Sequence, residues 1–431
     1  MVVKTGSSTK FWSRTVGAVV LGLIAPQAPV AASEPGAVSA APSGLRVTAT
    51  GEVLYDSNEL RSSRSAANSN RPRDDFRYSP ALNVAYSRNV GRLTTTLDGV
   101  VGRDFFQNNR QLSRNRYIGS GTATYATGTG CRAVIAGSYS SRQSGIRGLD
   151  TLRPVADPIV PPDDVGVVID NVQTSTSAGI NAGCGSLSGR LSFGGGYTHG
   201  ALSNDAPTRR FGNSVSDTFS ANVGIGVLRP GQLGLNSSYT IVRYPARQSL
   251  AALVPSSLLG AGLRTFRVGV TFARPIGTRL SGTAGASFLH TDAGSSSYNS
   301  PAYNLGLSYT ASPRLSFNLA GSRDVLASTA AGALYRVVDQ ITASANYALG
   351  QSITVDANVG FSKNDYRVPF SIPGEIARRQ DTSKIAGIGV SYAPRPLYDV
   401  SLFVGQTFRT SNPNLFNYDS TKASITLAVH I

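Results

Sequence analysis

From residue 44 to the end of the chain, apolar and small polar residues alternate with a period of two. Between 353 and 361, Ile353, Val355, Ala357, Val359 and Phe361 occupy one face, and Thr354, Asp356, Asn358 and Gly360 the other. The same alternation runs through Phe219, Ala221, Val223, Ile225 and Val227, through Phe266, Val268, Val270 and Phe272, and through Tyr303, Leu305, Leu307 and Tyr309. Side chains of an extended strand point alternately to opposite sides, so each segment predicts a strand with one apolar and one small polar face. Helical spacing is absent almost everywhere.

The connections between these segments carry a second pattern. Short ones fall at 88–91, 127–130, 185–186, 229–230, 274–278, 312–313, 350 and 394–397, and hold the Gly and Pro that tight turns need. Longer polar ones fall at 56–74, 105–111, 142–170, 200–214, 244–262, 291–300, 326–336, 364–380 and 411–418. Short and long alternate strictly, and together they join 18 predicted strands. An up-and-down barrel that crosses a membrane places alternate hairpins on opposite sides, with short periplasmic turns, long external loops and an even strand number. Closure also removes the strand edges that lipid cannot satisfy. The expected fold is therefore all-β, a single transmembrane antiparallel up-and-down barrel of about 18 strands.

The N-terminal segment changes the compartment. Lys4, Lys10 and Arg14 precede a short apolar run from Val16 to Ala25, and Val30, Ala31 and Ala32 stand before Ser33. This is the layout of an export signal, with an apolar core too short to span a bilayer. The expected organisation is a signal peptide over 1–32, a short periplasmic segment over 33–43 and the barrel over 44–431. No later apolar run approaches the ~20 residues of a membrane helix.

Composition narrows function more than fold. The chain carries a formal net charge of +16 with only 15% charged residues, and after the N-terminal segment its only lysines are Lys363, Lys384 and Lys422. The basic excess is thus arginine. Nucleic acid is excluded as a partner by the compartment and by the lack of a basic helix or stacking platform. Two cysteines and three histidines, His199, His290 and His430, leave little for a metal centre, and no Ser-His-Asp spacing is visible. The chain is expected not to be an enzyme and to use no cofactor.

The last strand places Ile425, Leu427, Val429 and Ile431 on one face, ending at the C-terminus. It resembles the signal that outer-membrane barrels present to their assembly machinery, with Ile431 where Phe is usual. From Ser322 onward the segments "SRDV", "ITASANYALGQSITVDANVGFSKNDYR", Arg379 to Asp381 and "IAGIGVSYAPRPLYDVSLFVG" resemble the β-barrel porin family of uncharacterised Gram-negative outer-membrane proteins. The resemblance implies a barrel and supplies no catalytic residues. Some relatives belong to exopolysaccharide systems, which raises export of an acidic polysaccharide as an alternative.

Three groups of candidate residues follow. Connection 142–170 holds Arg142, Arg147, Asp150, Arg153, Asp157, Asp163 and Asp164 among four prolines, and resembles the third external loop of general porins, which folds inward. Opposed charges there would select solutes by charge, against the blander reading of a mobile external loop. Arg61, Arg64, Arg71, Arg73, Arg110 and Arg114 form an external basic group suited to lipopolysaccharide phosphates or an acidic polymer, against a plain solvated surface. Cys131 starts the fifth strand and Cys184 ends the sixth, so both sit at one rim on neighbouring strands. Pairing them sets Ile135 opposite Ile180 on an apolar face, and predicts a disulfide in an oxidising compartment.

The expected function is a water-filled channel for hydrophilic, anionic solutes in the outer membrane. Acidic exopolysaccharide secretion and a structural barrel with a plugged lumen are the alternatives. Oligomeric state is left open.

Overall fold

Alternation of side chains becomes alternation of environment in a computed structural model, which describes residues 44–61, 72–128, 130–144, 170–185, 191–226, 231–248, 262–293, 297–327, 335–367, 379–412 and 416–431. Eighteen strands follow in order: β1 (Gly44–Asp56), β2 (Asp75–Val90), β3 (Leu93–Phe106), β4 (Arg114–Ala126), β5 (Cys131–Gln143), β6 (Val172–Gly185), β7 (Leu191–Asn204), β8 (Ser214–Gly226) and β9 (Gln232–Arg243). The second half continues with β10 (Gly262–Ile276), β11 (Leu280–Asp292), β12 (Ser297–Ser312), β13 (Leu315–Ala327), β14 (Tyr335–Leu349), β15 (Ile353–Arg367), β16 (Arg379–Arg395), β17 (Tyr398–Asn412) and β18 (Tyr418–His430). Each strand pairs antiparallel with the next, and β1 pairs with β18, so the sheet closes. The expected 18-stranded up-and-down barrel is what the chain forms.

Closure is sealed from one end of the seam to the other. Thr48 stands opposite His430 and Asp56 opposite Lys422, and the Ile431 N–H bonds Val47 O at 2.8 Å. His430 joins three strands: Nδ1 lies 3.1 Å from the Thr48 hydroxyl and Nε2 2.9 Å from Asp399.

Short connections occupy one end of the barrel and long ones the other, as the sequence pattern requires. Gly350 turns the β14–β15 hairpin with φ +80°, a left-handed conformation that a side chain would strain. The strands run from 12 residues in β9 to 17 in β16. About 9–11 residues cross the hydrocarbon layer when tilted, so the strands extend beyond it.

The polarity of an ordinary globule is inverted. Large apolar side chains such as Ile135, Leu235, Val270, Val359 and Leu402 stand on the outside and are about half exposed. Their neighbours one residue along face the interior. A continuous apolar outer surface of this extent is stable only against lipid. What core exists lies inside the long-loop end. Val242, Tyr244, Leu263, Leu289, Ala302, Tyr335 and Val337 form one buried cluster across β9 to β14, and Leu60, Phe106 and Leu112 another beside β3.

Candidate functional site: the lumen and its two ends

At the long-loop end the inner wall carries buried charges, several of them in ion pairs. Asp56 receives Lys422 at 3.3 Å, the Ser420 hydroxyl at 2.6 Å and the Asn58 N–H at 2.8 Å. Arg77, 1% exposed, lies 3.7 Å from Glu59 and over the Phe106 ring. Asp104 takes the Ser79 hydroxyl at 2.8 Å and sits 3.6 Å from Arg116. Asp381, fully buried, is held by Arg409 and Ser411; Arg267 reaches Asp324. A buried charge left unpaired is expensive, which is why these arrive as pairs. In the turn after β1, burial pushes the Glu59 carboxyl above its ordinary range, and Arg77 opposes that shift.

The long connections dock onto this wall. Asp75 accepts the backbone N–H groups of Gln107, Asn108 and Asn109 at 2.8–3.0 Å, tying connection 107–113 to β2. Ser57 donates its N–H to Thr421 O, and the Asn58 amide donates to Asp419 O, so the turn after β1 leans on β18.

Below this girdle the wall changes character. Inward positions of β6 to β8 are Ser175, Ser177, Gly179, Asn181, Ser192, Gly194, Gly196, Thr198, Ser220 and Asn222. Small side chains of this kind leave the interior of a wide barrel to water.

The short-turn end is strongly basic. Arg46, Arg88, Arg92, Arg132, Arg274, Arg279, Arg314 and Arg395 are all exposed there, distributed around the rim. Among the described residues none of the eight is bonded to a carboxylate; Arg132 bonds the Thr124 hydroxyl and Arg279 the Ala311 carbonyl. Sequence reading placed its arginine clusters at the other end and missed this group. A signal was present: Arg92, Arg274, Arg314 and Arg395 each adjoin a turn Gly or Pro.

The sequence candidates divide between the described and the undescribed residues. Arg142 faces inward from β5 beside the start of the longest connection. Arg147, Asp150, Arg153, Asp157, Asp163 and Asp164 lie outside the described residues, as do Arg64 and Arg71. Arg61 is 8% exposed with φ 50°, Arg110 is exposed in the 3-10 turn Arg110–Leu112, and Arg114 pairs with Asp170. Arg73 gives its carbonyl to the Glu59 N–H at 2.8 Å. Buried Arg61 and paired Arg114 do not belong to one solvated patch.

Cys131 and Cys184 stand directly opposite each other in the β5–β6 register and are joined by a disulfide. The same register puts Ile135 opposite Ile180 on the outer face, 59% and 49% exposed. Gly130 precedes the bridge at φ +82°, where a Cβ would stand 2.6 Å from the Gly185 carbonyl. His199 belongs to the outer face, with Asp217, Tyr197 and Arg243, and His290 bonds Asn299 at 2.7 Å.

Among known proteins, no family model matches the chain, and no curated protein matches it. Solved structures do. The Pseudomonas aeruginosa outer membrane protein OpdK aligns with TM-score 0.46 and 12% identity, covering 90% of this chain and 99% of its own. P. aeruginosa OccK2 (OpdF), solved in complex with glucuronate, aligns with TM-score 0.48 and 10% identity, covering 90% and 96%. Acinetobacter baumannii OccAB3 aligns with TM-score 0.46 and 9% identity, covering 90% and 99%. Likenesses this distant lend no weight to solute or mechanism.

Proposed function

We propose that the chain forms a channel in the outer membrane of a Gram-negative bacterium, admitting hydrophilic solutes with a preference for anions. The apolar exterior and the small polar lumen support the channel. The observation that carries the anion preference is the set of exposed arginines at the short-turn end, with Arg46 and Arg132 on inward positions and Arg88 and Arg274 on outward ones. Several wall charges of the long-loop end are joined in ion pairs, whereas among the described residues none of the eight arginines is bonded to a carboxylate. Like charges around a mouth flanked by low-dielectric walls focus their field and raise the local concentration of anions. Unlike a buried pair, such a set of exposed charges is screened by salt over about 8–10 Å at physiological ionic strength.

Conductance of the purified barrel across a planar bilayer, with reversal potentials measured in a salt gradient, tests this reading. The expected result is steady ion conductance with a reversal potential of the anion-selective sign, weakening as salt rises. Absence of conductance overturns the channel, and cation selectivity overturns the role of these arginines.

A further inference from the structure

Apart from Lys422, which pairs with Asp56 inside, the barrel has two lysines, and both stand on its outer face. Lys363 belongs to β15 and Lys384 to β16, and both are exposed. Their strands are neighbours: Lys363 faces Thr382 and Lys384 faces Phe361, so the lysines are diagonal to each other. Diagonal residues of an antiparallel pair lie about 7–8 Å apart, within the joint reach of two long side chains. Neither lysine has an ion pair among the described residues. The carboxylates nearest in register are engaged elsewhere. Asp339, opposite Lys363, lies 3.5 Å from Arg323 and accepts from the Tyr303 hydroxyl, and Asp365 lies 2.8 Å from Arg367. Lys384 has phenylalanine opposite it on both neighbouring strands, Phe361 and Phe408.

The strand itself sets the height of this pair. From Lys384 towards the short turn, the outward residues of β16 are Ala386, Ile388, Val390 and Tyr392, all exposed and uncharged. The eight residues from Lys384 to Tyr392 rise about 27 Å along a strand, or about 20 Å through a wall tilted by roughly 35–45°. That is close to the ~25 Å apolar band of such barrels, so Tyr392 marks one edge of the band and Lys384 the other. Phe361 and Phe408, 40% and 46% exposed, supply the aromatic girdle of that edge. A cation within the hydrocarbon is costly, whereas at its boundary a lysine reaches the headgroups.

We infer that Lys363 and Lys384 bind the phosphate monoester of a glycolipid in the outer leaflet of the membrane. Charge selects this occupant. A phosphate monoester carries about −1.5 to −2 charges near neutral pH, which matches two ammonium groups with no carboxylate bonded to them. A phosphodiester or carboxylate headgroup carries less charge than the pair can hold. Lysine meets phosphate as a point charge with three rotatable donors, so two of them share one ligand without a fixed fork geometry. Beside the lysines, Val359, Ala386 and Ile388 continue the outer face and offer the acyl chains an apolar wall. The ligand stays on the flank of the barrel and does not enter the lumen, so the site stands whether or not the barrel conducts. It requires the long connections to face the cell exterior, a direction that thiol labelling of intact cells reads independently.

The test titrates lipid A, a glycolipid with phosphate monoesters, onto the detergent-solubilised barrel and follows bound lipid by native mass spectrometry. Lipid A should bind saturably, and dephosphorylated lipid A, with the same sugars and acyl chains, should bind far more weakly. The K363Q/K384Q barrel should bind lipid A roughly 30-fold more weakly, each lysine at an anionic lipid surface being worth about fivefold. K363R/K384R should retain binding. R103Q/R264Q removes the same charge from two exposed outward positions on other strands of the same end, and should bind as the native barrel does. Folded gel mobility shows that each variant is a closed barrel. Equal binding of the dephosphorylated lipid, unaltered binding in K363Q/K384Q, or an equal loss in R103Q/R264Q overturns the site. Phosphatidylglycerol bound as tightly as lipid A overturns the choice of a monoester. Displacement of lipid A by an equal concentration of inorganic phosphate assigns the lysines to the free anion and overturns the lipid.

Discussion

At the scale of single residues, the long-loop end shows how a polar interior is made tolerable. Arg409 and Asp381 have side chains 3% and 0% exposed, and Ser411 completes the carboxylate's bonds. Removing one partner strands the other, which costs about 3–5 kcal/mol; removing both in favour of apolar groups is close to neutral. Arg409→Met is therefore expected to lower the temperature at which the barrel loses its heat-resistant, fast-migrating form in detergent gels. Adding Asp381→Leu should recover most of the loss. A single variant as stable as the native barrel would show that the pair is hydrated. None of this pairing was legible beforehand. Asp381 and Arg409 are unremarkable polar residues of two strands, and only the register and the shared inward face make them partners.

At the scale of elements, the β5–β6 hairpin combines what sequence shows best with what it shows least. Two cysteines at opposite ends of a predicted hairpin, on one parity, define the register that joins them. The cysteines are separated by 53 positions, a span made of β5, the connection and β6, and most of the connection lies outside the described residues. Restricting a loop of that size in the unfolded chain is worth up to about 4 kcal/mol in the loop-entropy treatment, whose mechanism is disputed. Reduction, or the double change Cys131→Ser and Cys184→Ser, should lower the unfolding temperature without altering the folded gel mobility at room temperature. An unchanged midpoint would leave the bridge without a stabilising role. Hairpin direction yields a second test. In a C131S/C184S background, Arg110→Cys on a long connection should react with a membrane-impermeant thiol reagent in intact cells, and Asn89→Cys at a short turn should not. The opposite labelling would invert the barrel.

At the scale of the whole molecule, the barrel is asymmetric along its axis: paired charge and apolar packing at the long-loop end, and exposed arginines with no carboxylate bonded to them among the described residues at the other. This asymmetry predicts where selectivity resides. Changing Arg46, Arg279 and Arg314 together to Gln should reduce the anion preference read from reversal potentials, most clearly at low salt. The folded yield should stay unchanged, because these side chains are exposed and carry no ion pair. Selectivity that survives the triple change would place the field elsewhere, in the long connections.

The sequence alone determined the strands, their number, the inward and outward parity and the alternation of short and long connections. All of these are properties of neighbouring residues: the two-residue period of an extended backbone, and turns built from local Gly and Pro. Only the tertiary structure decided what faces what inside. Asp56 meets Lys422 across 366 positions of chain because closure sets β18 beside β1. Phe403 settles over Gly387 on the adjoining strand, and arginines from six separate stretches of sequence gather at one end of the barrel. No local pattern encodes such meetings. They follow from a register shared by eighteen strands and from the closing of the sheet, which turns separate inward faces into a single interior.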